Sequence, residues 1–175
     1  SPSGSSTPSS SADSITVDSK NPYYLMQKTY TDPKGQVLSD TKIDGCSIAS
    51  YTKCPNVDLS GQYLQGAFLS YADLSGADLS GVNLKAGSIS FGNFRDVNFK
   101  GAELSATSMV RTKLQNGDLT KTQMVLNDNT EAKMQSVKLD GSIIASTTFV
   151  GADLSQASFT KAVVNGVSFN KADIS

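Results

Sequence analysis

A beat of five residues runs through the last two thirds of the chain. Stepping by five from Leu59 to Ile174 visits 24 positions, and all but Asn129 carry Leu, Ile, Met, Phe or Val. With 38% of the chain hydrophobic, chance would place an apolar residue at about nine of them. Two copies of Ala-Asp-Leu-Ser-Gly stand back to back at residues 72–81, and the beat runs out from them in both directions without a slip of phase. A helix repeats at roughly 3.6 residues and a strand at about 2, so a period of five is neither. Fixed self-similarity of this kind builds a solenoid, in which each unit buries its apolar side only against its neighbours.

The position two before each apolar residue is small almost throughout: Ala67, Ala72, Ala77, Val82 and Gly87, then on to Ala157, Ala162, Val167 and Ala172. Large and small residues therefore both point inward. Asp, Asn, Ser, Lys and Gly between them suit solvated faces and corners. Ala72-Asp73-Leu74, Ala77-Asp78-Leu79, Val82-Asn83-Leu84, Val97-Asn98-Phe99 and Ala152-Asp153-Leu154 give the motif in full. On these residues the chain resembles the pentapeptide-repeat family, whose motif is Ala-(Asp/Asn)-Leu-X-X. The resemblance covers residues 57–175. It implies an all-β fold, a right-handed quadrilateral β-helix with one repeat per side and four per coil. That makes about six coils, stacked roughly 4.8 Å apart. Asn129 is the weak rung of the ladder. Either its amide bonds to coil carbonyls or its repeat loops outward, and a local bulge is the expectation; a cation site built from Asp128 and Glu131 is the lesser alternative.

Three segments follow. Residues 1–14 form a Ser/Pro-rich tract with too little apolar surface to offset the entropy of ordering, and read as a flexible linker. Residues 15–56 read as an N-terminal cap and lead-in coil, and residues 57–175 as the β-helix. Asn21-Pro22-Tyr23-Tyr24-Leu25-Met26 is the apolar part of the cap, open to either a hairpin or a short helix. Leu38, Ile43 and Ile48 are again five apart, but eleven residues separate Ile48 from Leu59. Cys46 and Cys54 bracket that slip of phase. Two Cys in a chain without His do not make a metal site; a disulfide is expected, with two reduced structural thiols as the alternative, and it would clip the lead-in coil in register and imply an oxidising compartment.

Composition excludes several classes of function. Residues 57–175 carry ten Lys/Arg and eleven Asp/Glu, and residues 1–56 five of each, so neither part has the excess of a nucleic-acid binder. No apolar run reaches the roughly 20 residues of a membrane-spanning helix. Without His the commonest general acid–base is missing, and Asp58, Asp78 and Asp118 fall at the motif's exposed position with no apolar surround. No catalytic, cofactor-binding or metal-binding residues are assigned, and the chain is read as non-enzymatic.

Contacts are the remaining possibility. If residues twenty apart stack, Phe68, Tyr71, Phe91 and Val110 share one face, with Tyr71 under Phe91; the Tyr23–Met26 segment is expected to fold over it. Val125, Leu126, Ile143 and Val163 share the next, and suit a protein partner. Phe159, Val164, Phe169 and Ile174 would leave a bare apolar floor on the last coil. The resemblance implies a C-to-C dimer there, ahead of a head-to-tail stack; a natural sequence running past Ser175 is the other explanation. The combined reading is an exported or surface-tethered interaction module of a bacterium, extracellular, periplasmic or on the cell surface, its signal peptide removed. The alternative is a cytoplasmic DNA mimic that binds a type II topoisomerase, as some members of the family do, and near-neutral charge disfavours it.

Overall fold

The computed structural model describes residues 42–175. The expected linker at 1–14 and the apolar segment Tyr23–Met26 lie outside the described residues. From Lys53 onward every repeat contributes one residue to a parallel bridge with the residue twenty positions further on. Lys53↔Asp73, Asp58↔Asp78, Tyr63↔Asn83 and Phe68↔Ser88 open four such columns, and the first runs through Asn93, Lys113, Lys133 and Asp153 to Asp173. Four repeats therefore complete one coil, and each column is one side of a β-helix. The backbone closes it with two interleaved sets of bonds. Leu59 N–H donates to Asp78 C=O at 2.7 Å, and Asp78 N–H returns to Val57 C=O at 3.0 Å. This pairing satisfies the buried peptide groups of a coil that has no regular strand of its own.

The motif now has a local explanation. Its third residue points into the bore, and Leu59, Leu74, Phe94, Leu119 and Phe149 are fully buried there. Its Asp or Asn points outward and turns back to accept the amide two residues on. Ser60 N–H to Asp58 is 2.9 Å, Ser80 N–H to Asp78 2.9 Å and Lys85 N–H to Asn83 3.1 Å. A short side chain with an acceptor suits this reach best, although the longer Glu103 also accepts, from Ser105 N–H at 2.8 Å. The small inward position closes each corner turn, as in Ala77 N–H to Leu74 C=O at 3.1 Å. Where this position is Thr, the buried hydroxyl finds a backbone carbonyl, that of Leu119 in the same turn for Thr122 and one of the preceding coil for the others. Thr107 donates to Leu84, Thr112 to Ile89 and Thr147 to Met124, at 2.8, 2.8 and 2.9 Å.

Every fifth residue from Tyr51 to Lys171 is a corner with φ between 48° and 73°. Only eight of these 25 corners are Gly. None is Val, Ile, Thr or Pro, the residues for which the left-handed region is least accessible.

Most sides are single bridges, but one carries short strands. β3 (Gln123–Val125), β4 (Ile143–Ala145) and β5 (Val163–Asn165) form a parallel sheet in the order β3-β4-β5. At the other end β1 (Lys42–Ile43) and β2 (Cys46–Ser47) pair antiparallel, with Ile43 opposite Cys46.

Two expectations are corrected here. The spacing of Ile43 and Ile48 is not a coil of the solenoid but a hairpin. Asp44 and Gly45, with φ of 50° and 77°, make the two-residue turn whose left-handed residues match strand twist. Ile43, Cys46 and Ile48 nevertheless join the same buried core as Leu59 and Leu64. Nor does Asn129 bulge. It is fully buried, its N–H donates to Thr148 C=O at 2.9 Å, and its C=O accepts from Ala132 at 3.1 Å, all in register.

Candidate interaction surfaces

Corner residues twenty apart lie one above another, and the first such column is aromatic. Tyr51 stacks on Tyr71 at 4.9 Å with the planes 4° apart, and Tyr71 on Phe91 at 5.0 Å and 7°. The coil spacing itself sets this distance, because parallel backbones a strand's width apart place aromatic rings in offset contact. Phe68 lies on the adjoining side and is 65% exposed, while Val110 is half-buried. Tyr51 was not among the residues expected from sequence, although it stands twenty before Tyr71. The rings present their edges to solvent, since their faces cover one another. Beside them runs a chain of hydroxyls: Ser70 to Ser88 at 2.8 Å, Ser88 to Ser90 at 3.3 Å and Ser90 to Ser108 at 2.8 Å. Beyond Phe91 the column becomes Arg111 and Glu131, which pair at 2.5 Å. The Arg111 guanidinium holds the Glu131 carboxyl below its usual range, and Glu131 raises Arg111 in turn.

The β3-β4-β5 side carries the second apolar group. Ile143 sits beside Val163 in the parallel register, and Leu126 at the corner is 66% exposed. Val125 is half-buried beside Ala145. The expected neighbours are therefore brought together, on the side where β-branched residues extend the strands.

On the last coil Phe169 stacks on Phe149 at 5.4 Å and meets Phe159 edge-on at 6.3 Å. Phe159 and Phe169 are half-buried, but Val164 and Ile174 remain 44% and 65% exposed.

Carboxylates elsewhere serve the fold. Bonds from Ser75 lower Asp73 and bonds from Ser155 lower Asp153, in each case against a smaller opposing effect of burial. A carboxyl held ionised in water by its own turn makes a poor general acid. The sequence alternative of a cation site finds both its residues engaged: Asp128 takes the Thr130 amide and hydroxyl, and Glu131 takes Arg111. Among the described residues no cluster of three or more His, Cys, Asp or Glu could hold a metal ion. No described helix is long and apolar enough to cross a membrane.

A family model of pentapeptide repeats, in eight copies, matches residues 50–86, 92–125 and 145–175, more than half of the chain. The chain belongs to the pentapeptide-repeat family. The longer of the two gaps between matched segments, residues 126–144, holds the rungs where Asn127 and Asn129 replace a small and an apolar residue. Among solved structures the solenoid is similar to a trypsin-treated variant of QnrB1, a plasmid-mediated fluoroquinolone resistance protein. That match has 18% identity, covers 70% of this chain and 67% of the other, and reaches a TM-score of 0.52. HetL, a pentapeptide repeat protein involved in heterocyst differentiation regulation from the cyanobacterium Nostoc sp. strain PCC 7120, is 21% identical. It covers 70% of each chain at a TM-score of 0.31. A pentapeptide repeat protein of the Arabidopsis thaliana thylakoid lumen is 21% identical, covering 69% of this chain and 67% of that one at a TM-score of 0.21. These identities bear on the fold alone. No curated protein sequence matches the chain significantly.

Proposed function

We propose that this pentapeptide-repeat solenoid, right-handed and of about six coils, is a non-enzymatic interaction module that joins copy to copy through its last coil. The observation that carries the reading is the floor formed by Phe159, Val164, Phe169 and Ile174. Val164 and Ile174 are 44% and 65% exposed there, apolar surface of the kind that marks a contact, and a two-fold C-to-C contact would cover both floors with one patch. Phe68, Tyr71 and Phe91 on one side, and Leu126, Ile143 and Val163 on another, are then the surfaces left for a protein partner. Export, to the periplasm, cell surface or medium, is the compartment that suits the Cys46–Cys54 bridge, whose Cα atoms lie 5.7 Å apart.

Light scattering over a concentration series tests the association. A dimer is expected at tens of micromolar, reverting to monomer in Ile174→Lys and unchanged in Leu126→Ser. Species growing beyond the dimer would replace the C-to-C contact with a head-to-tail stack, and a strict monomer would overturn self-association altogether.

A further inference from the structure

Asn127 and Asn129 point into the same stretch of the bore, 2% and 0% exposed. The amide nitrogen of Asn127 donates to Leu104 C=O and to Thr107 C=O at 3.2 Å, but its Oδ1 has no donor. Asn129 has no partner at either Nδ2 or Oδ1. Three orphan polar atoms thus lie on one repeat. The buried hydroxyls of the bore fare otherwise: Thr107, Thr112, Thr122, Ser142 and Thr147 each bond to a carbonyl. Nor can the neighbouring rungs serve Asn129, whose column places Met109 before it and Phe149 after it.

We infer that the solenoid binds a single internal water at this level, bridging Asn127 and Asn129. One water has two donors and can accept at least one bond. It donates to Oδ1 of Asn127 and Oδ1 of Asn129 and accepts from Nδ2 of Asn129, which satisfies all three orphans. Three bonds is the usual complement of a buried water, and buried amides without any partner are rare. Exchanging Oδ1 and Nδ2 of Asn129 alters nothing, because neither atom has a protein partner. Met109 and Met134, whose unbranched side chains adjust to irregular space, occupy rungs of this and the adjoining coil. The polar rung is thus a hydration site inside the prism.

The test is oxygen-17 magnetic relaxation dispersion, together with a crystal structure at about 1.8 Å, on the wild-type chain and on Asn129→Leu. The wild type is expected to hold one water with a residence time far longer than surface water, in density within hydrogen-bonding reach of both amides. Asn129→Leu, close to isosteric, is expected to lose it. A dry wild-type interior, with the amides paired to protein groups, would overturn the inference. So would a long-lived water that persists in Asn129→Leu. Should that variant fail to fold, Asn127→Thr gives a second reading. It places the residue type found at 107 and 147 there, replaces the reaching amide oxygen by a shorter hydroxyl engaged with a carbonyl, and should shorten the water's residence; an unchanged residence would count against the bridge.

Discussion

Gly92 is a position at which one added methyl group should do clear damage. A Cβ built there lies 2.5 Å from Cε2 and 2.9 Å from Cδ2 of Phe94, and 3.0 Å from the Ile89 carbonyl oxygen. Phe94 is fully buried and stacked on Phe99 at 6.1 Å, so its ring cannot swing into solvent. Overpacking of this kind costs about 1–3 kcal/mol, which at about 2–4 °C per kcal/mol for a domain of this size lowers Tm by several degrees. Phe99 and Phe149 tolerate Val97 and Thr147 at the equivalent position, so the direction of the Phe94 ring matters rather than its size. Phe94→Leu should therefore remove the clash. In a double-mutant cycle read by thermal and urea unfolding, Gly92→Ala and Phe94→Leu should couple favourably by about 0.5–3 kcal/mol. Gly101→Ala is the control. Its added Cβ meets nothing within 4 Å at φ of 69°, so only left-handed strain of about 1 kcal/mol remains, partly offset by the stiffer unfolded chain. A neutral Gly92→Ala, or effects additive within about 0.3 kcal/mol, would refute the packing argument.

Two further outcomes follow from the same geometry. The Cys46–Cys54 bridge closes a short loop of eight residues' separation, for which chain entropy gives about 2–3 kcal/mol. Mass spectrometry with alkylation under non-reducing conditions should find no free thiol. On reduction, hydrogen exchange should quicken around β1, β2 and the first coil while the coils near Leu119 keep their protection, because solenoid stability is local; a uniform loss would contradict this. Stability should be flat from pH 8 to pH 5, since the chain has no His. Asp73, Asp140 and Asp153 are lowered chiefly by hydroxyl bonds from Ser75, Ser158 and Ser155. A depressed carboxyl contributes its full stability above the unfolded pKa of about 3.9 and loses it as pH falls through the folded value. The urea midpoint should thus drop only below about pH 4, and a drop between pH 7 and pH 5 would show that another group matters.

The regular part of the fold was legible because every repeat votes for the same answer. Leu59 through Ile174 fix which side chains face inward, and four repeats per coil then predict Tyr71 under Phe91 and Ile143 beside Val163. What the beat could not show is where a stronger local rule displaces it. Ile43 and Ile48 keep the spacing of five, yet the Asp44-Gly45 pair between them has the turn chemistry of a hairpin, and the hairpin wins. Asn129 looked like a place for the coil to break because a lone buried amide is costly. The backbone bonds of the coils on either side hold that repeat in line, so the polar group is carried inward instead. Corners were readable only in part. Their glycines mark the left-handed positions, but Lys121, Leu126 and Lys171 adopt the same φ, and the sign that they must is only the absence of β-branched residues and Pro.

Charge weighs against the alternative of a duplex mimic. A protein that imitated duplex DNA would have to present about one negative charge per 1.7 Å of its length. Coils stack at about 4.8 Å, so each coil would need about three net negative charges on its faces. Residues 57–175 carry eleven acidic and ten basic groups, a net of one over the whole solenoid. The distribution does not rescue it, because the columns mix sign. Asp58, Asp78 and Asn98 lead to Asp118 and then Lys138, while Asp73 and Asn93 lead to Lys113 and Lys133. The solenoid therefore lacks the field that a duplex mimic requires. Its distinguishing surfaces are apolar, at Phe68, Tyr71 and Phe91, at Leu126, Ile143 and Val163, and at the floor of the last coil. Apolar columns on an otherwise hydrogen-bonded rod favour contact with another protein over the imitation of a nucleic acid.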